Sequence, residues 1–205
     1  MTKTGDDDVE RIWVEQYPQG VPVEVDPGVY PSLKHLLESA IQNNANETAY
    51  INMNAKLSYA QLDLLSRSFA AWLQQKAGLQ PGDRVALMMP NILQYAIALY
   101  GVLRAGMIVV NTNPLYTAHE LEHQLKDSGA KAIVILENFA TVLEKVLPVT
   151  DIKHVVVTGV GDMLGFPRGL IVNIVLRHVR KQVPAFNIPQ ARRFKDVLGA
   201  GLGLS

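Results

Sequence analysis

A chain of 205 residues, 48% of them apolar, can bury roughly 70% of its unfolded surface, so it reads as one domain or one domain with an appended segment. Nineteen basic residues balance nineteen acidic ones and no basic run is interleaved with aromatics, which argues against a nucleic-acid partner. Cysteine is absent, which excludes a disulfide framework and thiolate metal sites and fits a reducing cytoplasm.

The opening MTKTGDDDVER places three aspartates where a secretion signal needs a basic start and an apolar run. Pro18, Pro22, Pro27 and Pro31 then favour an extended arm. Ser32 caps a predicted helix to about Asn43, with Leu33, Leu36, Leu37, Ala40 and Ile41 as its apolar stripe. Ala49–Met53 and Lys56–Ser58 read as a hairpin turning at Asn54-Ala55. Ser58 caps a long helix that buries Leu62, Leu65, Phe69, Trp72 and Leu73 and stops at Gly78.

From Pro81 to Leu136, three apolar strand candidates (Val85–Met88, Ile108–Asn111, Ala132–Leu136) alternate with two helix-period segments, the rhythm of a parallel sheet with crossover helices. The first helix, Ile92 to Arg104, is apolar almost all round and is expected to be buried on more than one side. MIVV, apolar on both faces, is expected as a covered strand, and the loop Asn111–Thr117 then lies at the carboxyl end of a central strand, where open α/β sheets collect ligands. Farther on come a helix near Phe139–Leu147, a strand at His154–Thr158, a glycine-rich loop through Gly165, a helix candidate from Pro167 to Val183, and a short helix near Ala191–Leu198. The longest apolar stretches, such as Leu170 to Leu176 broken by Asn173, fall short of the ~18 residues a membrane span requires.

Two motifs invite chemistry. His119-Glu120-Leu121-Glu122-His123 matches the HExxH signature, in which two histidines one turn apart bind zinc and the glutamate activates water. Thr117 and Glu120, however, form a capping box that commits Glu120 to the Thr117 amide and puts the motif in the first turn of its helix, so no metal ligand is assigned and a zinc hydrolase stays a remote alternative. Gly199, Gly201 and Gly203 follow a helix rather than a strand, which makes a flexible tail the expectation and a phosphate loop the lesser one.

PGDRVALMMPN (81–91), GVLRAGMIVVNTNPLYT (101–117) and ELEHQLKDSGAKAIV (120–134) resemble, phrase by phrase, the early part of the AMP-forming acyl-CoA synthetases of the adenylate-forming superfamily. With WVEQYPQGVPVEVDP (13–27), the likeness is to the bacterial long-chain fatty-acid–CoA ligases in particular and covers the chain from about Ile12 onward. Such enzymes hold ATP with a Ser/Thr/Gly-rich loop ending in Lys-Gly and finish adenylation with a later hinge and a C-terminal lysine; no stretch of these 205 residues matches those elements.

The resemblance implies an α/β fold, a mostly parallel sheet with helices on both faces, forming the N-terminal part of the family's large domain. Its expected parts are an acidic, proline-rich arm (1–31), an α/β core (32–166), and a basic amphipathic helix and tail (167–205) belonging to a larger domain. The implied parent reaction joins fatty acid and coenzyme A at the expense of ATP, giving acyl-CoA, AMP and pyrophosphate, with Mg2+ assisting. This stretch alone is expected to hold no catalytic residue, to bind no cofactor and to be inactive without the remainder of the ligase. In the family the loop after the second parallel strand lies near the approach of coenzyme A, which makes Asn113, Pro114, Leu115 and Tyr116 the candidate contacts; a loop held by asparagine bonds and a packed tyrosine is the structural alternative.

Arg168, Arg177, Arg180, Lys181, Arg192, Arg193 and Lys195 face no acid in sequence, and Leu170, Ile174 and Val175 supply apolar surface to the same helix. That distribution suits contact with an anionic membrane surface, and equally a helix whose cations complement its own dipole while its apolar face packs on the sheet. A binding or membrane-docking module is accordingly the alternative function. The expected location is cytoplasmic and peripheral on the inner membrane, and a homodimer is a further expected assembly.

Overall fold

The computed structural model describes residues 11–204, so the acidic segment before Arg11 and the final Ser205 lie outside the described residues. A short 3-10 turn, Ile12–Gln16, is followed by exposed chain without helix or strand as far as Ser32. Ser32 accepts the His35 N–H at 3.1 Å and so starts α1 (Leu33–Asn44), of which only Leu37 is fully buried.

The antiparallel hairpin β1 (Thr48–Asn52) and β2 (Ala55–Ser58) turns one residue earlier than expected. Its two-residue loop is Met53-Asn54, with φ of 47° and 62°. A turn with both central residues at positive φ matches the twist of the flanking strands, and Asn54 is the residue here best suited to it. Ser58 and Gln61 then form a reciprocal capping box for α2 (Tyr59–Gln75).

A single five-stranded sheet, parallel throughout, forms the centre. Its strands are β3 (Arg84–Met88), β4 (Ile108–Asn111), β5 (Ala132–Leu136), β6 (His154–Thr158) and the two-residue β7 (Arg192–Arg193), in spatial order β4-β3-β5-β6-β7. Side chains alternate between two cores. Val85, Leu87, Val134 and Val156 face α1, α2, α3 (Leu93–Arg104) and α7 (Phe194–Leu202); Ala86, Met88, Ile133, Ile135 and Val155 face α4 (Ala118–Ser128) and α5 (Ala140–Val146). Helices therefore cover both faces of the sheet, as the alternating pattern of strands and helices implied.

Two turns of close helix contact organise the first face. Gly101 of α3 lies against Phe69 and the Ser66 carbonyl of α2, and Gly201 of α7 lies against the Ser68 backbone of α2, nearer than any side chain would permit. Phe194 enters the same layer, its ring centroid 5.5 Å from that of Phe69. Of the glycines expected to form a tail, Gly199 and Gly201 are part of α7 and Gly203 follows its end; the missing side chain of Gly201 lets α7 seat on α2. On the second face, Gly129 ends α4 with φ of 59°, and Arg84 donates to the Ser128 and Gly129 carbonyls at 2.8 and 3.0 Å.

The segment between β6 and β7 departs from expectation in two respects. Its helix α6 (Arg168–Ile174) passes into a wider π turn, Val175–Val179, and stops there rather than at Val183. Two of its supposedly unpaired cations do find an acid: Arg177 and Arg193 both donate to Glu137 Oε2, at 2.6 and 2.8 Å. Glu137, directly after β5, is only 2% exposed and lies 40 and 56 positions from these partners, beyond the reach of local charge patterning. No helix among the described residues is long and apolar enough to cross a membrane.

Candidate functional site

The candidate loop leaves the sheet at an edge, not at its centre. β3 pairs with both β4 and β5, so the crossovers through α3 and α4 depart to opposite sides and β4 becomes the outer strand. Beyond β4, the Thr112 N–H donates to the Leu87 carbonyl at 3.0 Å and prolongs the β3–β4 ladder by one bond. The Asn111 carbonyl accepts from Gln124 Nε2 at 3.0 Å, and the Asn111 side chain accepts the Tyr95 hydroxyl at 3.0 Å. A short, well-bonded exit from the strand results.

Asn113 then folds the loop: its Oδ1 accepts the Leu115 N–H at 3.0 Å and its carbonyl accepts the Tyr116 N–H at 3.2 Å. Leu115 is thrown outward, 78% exposed, while Tyr116 packs into the core beneath α4 and Pro114 is half-buried. An open cavity of about 320 Å³ at the carboxyl ends of β3 and β4 is lined by Leu87, Met89, Asn91, Tyr95, Asn111, Thr112 and Asn113. Of the four residues singled out from sequence, only Asn113 lines it. The structure adds Asn91, Tyr95 and Asn111. Asn91 lies three residues beyond the end of β3 and Tyr95 one turn farther on, so the sequence signal for both was the Pro90-Asn91 helix start, which the strand pattern overshadowed.

A second cleft shares Asn91 and Tyr95 with the first. It measures about 260 Å³ and is walled by Tyr50, Ile51, Ile92, Ala96 and Leu99 between β1 and α3. Burial, a hydrogen bond to Tyr100 and neighbouring tyrosines push the Tyr50 hydroxyl above its ordinary range, so at neutral pH it is a neutral donor. The pair of clefts offers amide and phenol hydrogen bonds on one side and apolar walls on the other, which suits an elongated ligand with both polar and hydrocarbon parts.

The HELEH stretch is a helix start, as its capping residues indicated. Glu120 Oε2 accepts the Thr117 N–H at 2.8 Å and the Thr117 hydroxyl at 2.7 Å, and the Thr117 amide holds the Glu120 carboxyl below its usual range. His119 and His123 are exposed. Asp83 and Arg84 are likewise structural: Asp83 Oδ1 meets the Lys131 ammonium at 2.6 Å while Arg84 caps α4.

At the far end of the sheet a buried amide ties α3 to β6. Gln94, 1% exposed, donates to Thr158 Oγ1 at 3.2 Å and to the Gly159 carbonyl at 2.8 Å. Asp162 Oδ2 accepts from Thr158 Oγ1 and the Gly159 N–H, and Asp162 Oδ1 accepts from Asn173 in α6 at 2.8 Å. This network fixes α6 beside the carboxyl ends of β5 and β6.

Comparison with known proteins places this geometry. The chain is 53% identical over 94% of its length to a long-chain-fatty-acid–CoA ligase of Yersinia pestis, and 50% identical over the same share to one of Haemophilus influenzae. It spans about a third of the length of these curated relatives, 34% in each case. Among solved structures it is similar to a benzoate CoA ligase from Burkholderia xenovorans LB400, with a TM-score of 0.62, 22% identity, and coverage of 82% of this chain and 28% of the other, a likeness of fold. The family described as AMP-binding enzyme matches residues 37–192, most of the chain, and the protein belongs to that family.

Proposed function

We propose that this chain is the part of a long-chain fatty-acid–CoA ligase that builds the first parallel sheet and one wall of the acceptor approach. In that reading, ATP and a fatty acid give acyl-adenylate and pyrophosphate, and coenzyme A then displaces AMP, with Mg2+ serving the phosphoryl chemistry. The carrying observation is the 53% identity sustained over 94% of the chain to a ligase of that specificity. The groups that stabilise developing phosphoryl charge are assigned to the remaining two-thirds of the enzyme, and the chain by itself is inactive.

Within the wall, Asn113 and Tyr95 present hydrogen bonds to the polar part of coenzyme A, Pro114 and Leu115 shape the loop's outer surface, and Tyr116 anchors the loop to the core. The reading is tested by replacing the matching segment of the Yersinia pestis ligase with this chain. Palmitate- and coenzyme-A-dependent AMP release is expected from the chimera; a folded chimera without it would overturn the reading. Palmitate-dependent pyrophosphate release by the isolated chain would overturn its assigned inactivity.

A second reading concerns location. Exposed apolar residues beside cations on α6 favour a cytoplasmic enzyme held peripherally at an anionic membrane, where its hydrocarbon substrate is concentrated. Self-association through a homodimer is the alternative use of such surface, and light scattering on the purified chain distinguishes the two.

A further inference from the structure

The helix α6 and the turn that continues it are built inside out. Asn173 points inward, its Oδ1 accepting the Gly161 N–H at 2.7 Å and its Nδ2 donating to Asp162 at 2.8 Å. One turn later Arg177 reaches the buried Glu137 carboxylate. One turn earlier Gly169 lies against the Gly161 backbone so closely that a methyl group on either would collide with the other's carbonyl. Gly169, Asn173 and Arg177, spaced i, i+4 and i+8, thus give the protein a face that is bare or polar and cannot roll.

The apolar residues are left on the other side. Phe166 is 89% exposed, Ile171 56% and Val179 70%, and Leu170 and Ile174 are exposed beside them. A helix packed on a globular core shows the reverse distribution. From Met163 to Lys195 the chain holds seven arginines and lysines and no aspartate or glutamate. Arg177 and Arg193 are engaged by Glu137 and Arg168 donates to the Met53 carbonyl, while Arg180 and Lys181 stand exposed where the π turn ends.

Two grooves run along the flanks of this helix. One, of about 740 Å³, is lined by Lys56, Phe166, Arg168 and Ile171; the other, of about 340 Å³, by Arg177, His178, Arg193 and Lys195 together with Glu137, Asp162 and Asp196. The first groove sets Phe166 and Ile171 beside Lys56 and Arg168 with no acid in its lining, whereas the acids of the second balance its arginines and lysine. A bilayer leaflet offers acyl chains beneath phosphate oxygens, the combination that an apolar strip bordered by cations complements. Long cationic side chains bordering an apolar strip can extend to headgroups while the strip enters the acyl boundary.

We propose that the outward face of α6 and its π turn, with Phe166, Ile171 and Val179 as apolar anchors and Arg168, Arg180 and Lys181 as headgroup contacts, is a docking surface for a membrane leaflet rich in anionic phospholipid. The proposal rests on the peripheral reading above and supplies the surface on which it acts. The helix lies in the plane of the leaflet, with the Asn173 and Arg177 bonds holding the remainder of the protein above it.

Co-sedimentation of the full chain with phosphatidylglycerol–phosphatidylethanolamine vesicles, against phosphatidylcholine vesicles, tests it. Pelleting with the anionic vesicles is expected at low salt and is lost at high salt. The double substitution Phe166→Ser, Ile171→Ser is expected to reduce binding at least tenfold, and Arg180→Gln, Lys181→Gln by about thirtyfold, roughly fivefold per cation. Leu36→Ser, which removes an exposed leucine elsewhere, is expected to leave binding unchanged. These positions are exposed, so an unchanged urea midpoint establishes that each variant is folded. A wild-type chain that stays in solution would overturn the peripheral reading itself. A wild type that pellets alongside equally adherent Phe166 and Ile171 variants would keep that reading and overturn this surface. A dimer converted to monomer by the same variants would make the face a self-association interface and also overturn the proposal.

Discussion

Replacing Gly201 by alanine isolates the contact that seats α7 on α2. A methyl group there would run into the Ser68 carbonyl, whereas one on Gly199, in the same helix, meets nothing within 4 Å. Both substitutions remove a helical glycine, which by itself favours the alanine variant by about 0.5–1 kcal/mol. Only Gly201→Ala also pushes two helices apart. Because the obstacle is main chain and cannot rotate away, the cost falls at the upper end of ordinary overpacking, about 3 kcal/mol. The net expectation is a loss of about 2 kcal/mol for Gly201→Ala and a gain of about 0.5–1 kcal/mol for Gly199→Ala. At this chain length a 2 kcal/mol loss lowers the thermal midpoint by about 4–8 °C. Urea denaturation followed by far-ultraviolet circular dichroism reads both variants, and a shifted midpoint at constant m-value marks a stability change alone. Equal stabilisation by the two alanines would refute the close seating of α7.

Thr117→Ala removes the cap of α4 and is expected to cost about 1 kcal/mol in the same assay, and chelator is expected to leave the wild-type midpoint unmoved; stoichiometric zinc in the purified chain would contradict the structural assignment of HELEH. Asp83 accepts the Gln80 N–H at 2.9 Å and the Lys131 ammonium at 2.6 Å, and these two bonds, the Gln80 amide foremost, hold its carboxyl below the usual range. A depressed folded value means that this stabilisation is complete above about pH 4 and disappears as pH falls through the folded value. Asp83→Asn is therefore expected to lower the urea midpoint at neutral pH, with the gap to wild type closing in acid; a gap independent of pH would exclude this linkage. In the chimeric ligase, Asn113→Ala and Tyr95→Phe are expected to raise KM for coenzyme A severalfold while KM for palmitate stays put, and an effect confined to palmitate would move the loop's role to the acyl side.

Much of this architecture was legible because its signals are local. The Ser58 and Thr117 capping boxes, the apolar strands from Val85 to Leu136 and the all-round apolar α3 each announce themselves within a few residues. The candidate site was less legible. Asn113 was found from its loop, but Asn91 and Tyr95 arrive from a different strand exit, and only the pairing of β3 with β4 brings the two together. The double-sided apolar pattern of Ile108–Asn111 suggested a central strand, yet β4 lies at an edge with Ile108 exposed. Apolar faces report what lies above and below a strand; pairing order depends on the direction each crossover takes.

The same distinction explains α6. The sequence named Leu170, Ile174 and Val175 as its apolar surface, and the ordinary inference would turn such a surface inward. That inference fails because the acids that capture the polar side, Asp162 and Glu137, come from the ends of other strands, and a period within one helix carries no information about them. Once Asn173 and Arg177 are tied to those acids and Gly169 is wedged against Gly161, the hydrocarbon face has no remaining route into the protein. The apolar side of α6 therefore stays exposed among the described residues, and it is this surface that the proposed leaflet contact uses.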